Sequence, residues 1–115
     1  MLVEMGADIN SVDDENKNAL HLLSENNCHL KIAQYLISKK IDVNLRDEEG
    51  KTPLYFACAN DKCSHDYLNL LLNNGCNDIN DGLVGAASAP NFDFVNLMIS
   101  KGANEFSKAR KKKLI

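Results

Sequence analysis

The sequence predicts an all-α solenoid of stacked helix–turn–helix units with short hairpin fingers, about three full units preceded by a partial one. Three observations carry that expectation. Helix-start signals recur at Asn18, Thr52 and Asp81, 34 and then 29 residues apart. An amphipathic stretch follows each start, with apolar residues at helical spacing. Each such stretch then closes on a loop signal, most often a glycine that can take up the left-handed conformation ending a helix. Only 6% of residues are aromatic and Trp is absent, so the core is expected to be mostly Leu, Ile, Val and Ala.

The elements follow in order. "MLVEM" reads as the tail of a second helix over 2–5, closed by "GADIN" at 6–10, so the chain is expected to open partway through a unit. "NALHLL" begins a helix over 19–25, with Asn18 able to accept a hydrogen bond from a free N–H of the first turn. "HLKIAQYLISKK" gives a helix over 30–39, with Ile32, Ala33, Leu36 and Ile37 on one face. "KTPLYFA" gives a helix over 53–60, with Pro53 at the first helical position, where its missing N–H costs nothing. "HDYLNLLLNN" gives 65–73, "DGLVGA" gives 83–88 capped by Asp81, and "NFDFVNLMISKG" gives 92–100. A last helix is expected over 106–114. The core expected from these faces is Leu20, Leu23, Ile32, Leu36, Val43, Leu54, Ala57, Leu68, Leu71, Leu72, Leu83, Ala86, Val95, Leu97 and Met98. No single unit can bury its own apolar face, so stability has to come from its neighbours.

The chain resembles the ankyrin repeat family at these residues: "TPLYFA" and "NALHLL" at the helix starts, "GADIN" and "DVNLRDEEGKTPL" in the loops. That family has a period of 33 residues and a T-P-L-H-x-A start. The array is read as 1–107, divided into a partial unit 1–17 and units 18–51, 52–80 and 81–107, with 108–115 a basic tail or the end of a capping helix. The departures from the period fall at "ENNCH" and "NDKCSH", where the turn between helices is longer, and at Asn80–Asp81, where most of a finger is missing. Two fingers are expected, around 10–17 and 44–51, and a blunt turn near 78–82. Lys40 stands where the other units place Gly6, Gly75 and Gly102.

Residues 1–107 hold eight Lys/Arg and all sixteen Asp/Glu, a charge of −8, while Lys108, Arg110, Lys111, Lys112 and Lys113 add +5. No apolar run reaches the roughly 18–20 residues that cross a bilayer, and no secretory signal is visible. A monomeric cytoplasmic protein is expected, with Lys108–Lys113 a candidate nuclear signal. Cys28, Cys58, Cys63 and Cys76 are read as reduced thiols on that basis. Cys58, Cys63, His65 and Cys76 are candidate zinc ligands by residue type, but their spacing fits a tetrahedral cage poorly, so no metal or cofactor is expected. There is no P-loop, dinucleotide fingerprint, G-x-S-x-G or H-E-x-x-H, and no catalysis is expected. Asn44 is read as a turn-shaping residue.

The resemblance implies the binding surface. In the family it is the fingers together with the exposed side of the first helices. On matching positions that means Asp13, Asp14, Glu15, Lys17, Glu25 and Asn26 in one unit, and Asp47, Glu48, Glu49, Lys51, Ala59 and Asn60 in the next. The resemblance also implies that His21 braces neighbouring loops. The first functional reading is a protein–protein interaction module taking a partner with a basic segment. The second is a structural segment or end cap of a longer ankyrin-containing protein. The third, a nucleic-acid binder acting through the basic tail, is the weakest, because no aromatic residues interleave the charges.

Overall fold

Six helices make up the computed structural model, which describes residues 9–89 and 91–102. They are α1 (Ala19–Glu25), α2 (Leu30–Ser38), α3 (Pro53–Cys58), α4 (His65–Asn73), α5 (Ile79–Ser88) and α6 (Phe92–Ser100). The expected helices over 2–5 and 106–114, Gly6 and the basic tail lie outside the described residues. Among the described residues there is no strand. The first helices α1, α3 and α5 form one row, each packed on the next. The second helices lie behind them: α2 packs on α1 and on α4, α4 on α3, and α6 on α5. This is an all-α solenoid, as the repeated starts require.

The starts are capped by short polar side chains. Asn18 accepts from the His21 N–H, Thr52 from Tyr55, Ser64 from Tyr67 and Asn91 from Phe94. Each bond satisfies an N–H that has no partner inside its helix. One expectation fails here. Asp81 does not cap α5; Asp78 does, accepting from the Asp81 N–H, and the helix begins at Ile79 instead of 83. Where a blunt turn was expected near 78–82, the chain is already helical. With no finger to form, the chain can enter the helix early, and Asp78 supplies the acceptor.

Leu20, Leu36, Leu54, Ala57, Leu68, Leu71, Leu83, Ala86 and Met98 are buried, as the periodicity indicated. Leu23, Ile32, Val43, Leu72, Val95 and Leu97 are only partly buried and pack around that core. Periodicity did not mark Tyr67, which is fully buried. Its hydroxyl hydrogen-bonds the buried Ser24 hydroxyl at 2.8 Å, which satisfies both groups across a unit boundary. Burial pushes the Tyr67 phenol up to about 12.

The cysteine expectation is corrected. Cys28 and Cys63 form a disulfide, with Cα atoms 5.2 Å apart, so they are not reduced thiols. Both lie in the lengthened turns between a first and a second helix, one in each of two successive units. Stacking superposes those turns, and so brings together residues 35 apart in the chain. Cys58 and Cys76 are free and buried, as expected of structural thiols. Burial raises both to about 12, far from the range of a reactive thiolate.

Candidate binding surface

The two fingers are built alike from residues 34 apart. Asp13 Oδ1 accepts from the N–H groups of Glu15 and Lys17, each at 2.9 Å, and Asp47 Oδ1 accepts in the same way from Glu49 and Lys51. The fourth residue of each loop takes a left-handed backbone, Asn16 at φ 63° and Gly50 at φ 79°. Asn and Gly are the residue types that tolerate that region. The bond from Lys17 is the main reason the Asp13 carboxyl lies below its ordinary value. Asp13 and Asp47 are therefore the residues that shape the loops, and Asp47 is buried at 6% exposure.

The fingers are also tied to each other. The Glu48 N–H donates to Glu15 O at 2.9 Å, and Asn16 Nδ2 to Arg46 O at 2.9 Å. Asp14, Glu15, Glu48 and Glu49 are left exposed on this paired loop surface. Behind it, buried His21 joins one finger to the next. Its Nδ1 accepts from the Asn18 N–H, and its Nε2 lies 2.9 Å from Lys51 O. A carbonyl can only accept, so Nε2 carries a proton. Burial is the largest cause of its lowered pKa. The bracing role implied for His21 is what the geometry shows. Asn44 has a similar structural part: its amide donates to Gly75 O at 2.7 Å and accepts from the Asn77 N–H at 3.1 Å.

The first-helix positions complete the surface. Lys17 Nζ pairs with Glu25 at 3.1 Å and Glu15 at 3.5 Å, and lies 4.9 Å from the Phe56 ring centroid. Lys51 Nζ pairs with Glu49 at 3.3 Å and lies 4.7 Å from the Tyr55 ring centroid. Asn60 reaches back to the preceding unit, its Nδ2 donating to Ser24 O at 2.9 Å and Asn26 O at 2.7 Å. Between the first helices opens a groove of about 440 Å³ lined by Glu25, Phe56, Ala59, Asn60, Asp61 and Ala89. Glu25, Ala59 and Asn60 are predicted site residues that the structure gathers at this groove. Asn26, exposed, instead bonds its own helix end, from Nδ2 to Leu22 O. Phe56, Asp61 and Ala89 were missed, because only stacking of three units brings them to one opening.

Residues 1–82 match the sequence model of the family described as ankyrin repeats, in three copies. The chain belongs to the ankyrin repeat family. The helix–turn–helix pattern runs on beyond the matched residues through α5 and α6. Among similar proteins, acyl-CoA-binding domain-containing protein 6 of Danio rerio is 40% identical over 63 residues, 55% of this chain and 20% of that protein. Rabankyrin-5 of Mus musculus is 42% identical over 59 residues, 50% of this chain and 5% of that protein. Ankyrin repeat-containing protein P1E11.10 of Schizosaccharomyces pombe is 29% identical over 84 residues, 73% of this chain and 40% of that protein. The chain thus spans two fifths or less of the length of each of these relatives. Ankyrin repeats as a family mediate protein–protein interaction, and are typically not enzymes. Among the described residues no helix is long and apolar enough to cross a membrane, and no group of three His, Cys, Asp or Glu could hold a metal ion.

Proposed function

We propose that this chain is a protein-binding module without chemistry of its own, which takes a basic segment of a partner across its two fingers and first helices. The observation that carries the reading is the pair of interlocked fingers. They hold Asp14, Glu15, Glu48 and Glu49 exposed on a scaffold whose loop backbone is fixed by Asp13, Asp47 and His21. Charges presented on rigid loops steer an oppositely charged partner and set its register, acting mainly on association rate. Asp13 and Asp47 contribute by shaping the loops, Lys17 and Lys51 by fixing carboxylates and covering Phe56 and Tyr55. The partner-facing set of this proposal also includes Glu25, Asn26, Ala59 and Asn60. We place the protein in the cytoplasm, as a monomer, where the Cys28–Cys63 bond would face a reducing thiol pool.

The test is capture of partners by the full chain and by a Glu48→Lys, Glu49→Lys double variant. The double variant is expected to lose partner capture, most at low salt, where exposed charges are least screened. Its melting temperature is expected to stay near that of the parent, since exposed substitutions cost within about 0.5 kcal/mol each. Full-strength capture by a folded double variant at low salt overturns finger-mediated binding.

A further inference from the structure

We propose that the groove framed by Glu25, Phe56 and Asp61 seats one arginine side chain of the partner. The inference rests on the reading above, that this face takes a basic protein segment, and it names the anchor. The groove has room for one side chain, because Ala59 and Ala89 in its lining are small. Among the described residues the lining holds an aromatic ring and two carboxylates, one of which, Glu25, already pairs with Lys17. Asp61 is exposed and has no ion pair among the described residues. The chain shows the same chemistry with a residue of its own: the Lys17 ammonium rests 4.9 Å from the Phe56 centroid and 3.1 Å from Glu25. That lysine engages Glu25 and leaves the Asp61 carboxylate to a second cation.

The wall that carries Asp61 is held in place before any ligand arrives. Asn60 is bonded to Ser24 O and Asn26 O, and Cys63 is bonded to Cys28. A preformed site loses less freedom on binding, so a single contact pair contributes more. Arginine fits better than lysine. Its planar guanidinium can lie against an aromatic ring while donating to a carboxylate, which a compact ammonium does less well.

The probe is the tripeptide acetyl-Gly-Arg-Gly-amide, with its citrulline analogue as the neutral isostere, titrated into ¹⁵N-labelled full chain. Saturable amide shifts at Phe56, Ala59, Asn60 and Ala89 are expected with the arginine peptide. They should be absent with citrulline. Asp61→Asn is expected to weaken binding by up to about five-fold, the upper end of the range for one exposed charge pair. Phe56→Leu, which keeps an apolar side chain without a ring, is expected to weaken it as well, and Asp93→Asn, at an exposed carboxylate on α6 away from the groove, to leave it within about two-fold. Equal shifts with citrulline, or no saturable shift with arginine, overturn the anchor. Shifts confined to the finger residues, lost with the Glu48 and Glu49 changes and indifferent to Asp61→Asn, also overturn it while the finger reading stands. Failure of the finger reading shows separately, in undiminished partner capture by the charge-reversed chain.

Discussion

The packing of α1 on α3 and the packing of α3 on α5, each taken with the loops that lead into those helices, stack the same kind of helix by different means. At the first, α1 meets α3 beneath two complete fingers. Polar bonds run across it: Glu48 to Glu15, Asn16 to Arg46, His21 to Lys51, Asn18 to the Asp42 carbonyl, and the Ser24–Tyr67 pair. The Cys28–Cys63 disulfide closes its far end. At the second junction one finger is missing, and α5 meets the backbone of α3 with no room for a side chain at Gly85. An ideal Cβ at Gly85 would lie 2.3 Å from Tyr55 O, and one at Gly82 would lie 2.8 Å from Met98 Sδ and 3.0 Å from Leu54 Cδ2. Glycine at both positions is what lets the helices approach. Two aspartates stand in for the lost loop: Arg46 pairs with Asp78, and Asp81 Oδ2 accepts from both the N–H and the hydroxyl of Thr52, at 2.8 Å and 2.7 Å. A repeat junction can therefore be held by loop hydrogen bonds or by close backbone packing, and this chain uses one of each.

Breaking the covalent link at the first junction should have the largest effect. Reducing the disulfide, or replacing Cys63 with Ser, is expected to cost about 2–4 kcal/mol. Denaturant unfolding with and without reductant measures this, and superimposable curves would remove the disulfide from the account. At the second junction, Gly85→Ala is expected to cost about 1–3 kcal/mol, because the obstructing atom is backbone and cannot turn aside. Gly82→Ala should cost less, since the ends of the Met98 and Leu54 side chains can shift. Melting temperatures of the two variants sharpen the contrast, and the reverse order would show that α3 and α5 are not packed this closely.

Two smaller effects separate the junctions further. Lys40 holds a left-handed backbone at φ 70°, where Gly75 and Gly102 have φ 100° and 105°. A side chain with a Cβ costs about 1 kcal/mol there, so Lys40→Gly is expected to raise the melting temperature slightly. The smallest effect is a pH dependence confined to the first junction. The folded protein holds His21 below its ordinary value of about 6.5, mainly through burial. Between that lowered value and 6.5 the unfolded chain binds more protons than the folded one, so stability falls as pH falls through this window. It is fully present above 6.5. Melting temperature followed through the window should fall less for His21→Gln than for the parent, and parallel profiles would exclude His21 as the cause.

Residue types and spacing were enough to reveal the helices, the repeat and the fingers, because these depend on local chemistry. Asn18 and Thr52 cap because a short oxygen-bearing side chain reaches a nearby N–H. Asn16 and Gly50 bend the loops because each tolerates a positive φ. Leu20, Leu54 and Leu83 recur at the buried position of each first helix. The finger positions proposed for binding could be assigned to the loops for the same reason, although Asp47 turned out to be buried within its own loop.

Stacking decided the rest. Asp81 looked like a cap by its place in the repeat, yet it lies inside α5 and bonds Thr52 in the preceding unit. Cys28 and Cys63 carry no pairing signal in their local sequence; two lengthened turns had to be laid over one another to join them. Phe56, Asp61 and Ala89 form one groove because α1, α3 and α5 lie side by side, and Tyr67 is buried because Ser24 of the neighbouring unit receives its hydroxyl. The sequence by itself determined each unit, since the forces that shape a unit act over a few residues. Only the tertiary structure decided what adjoining units share, since those contacts join residues about thirty positions apart whose side chains meet once the array is assembled.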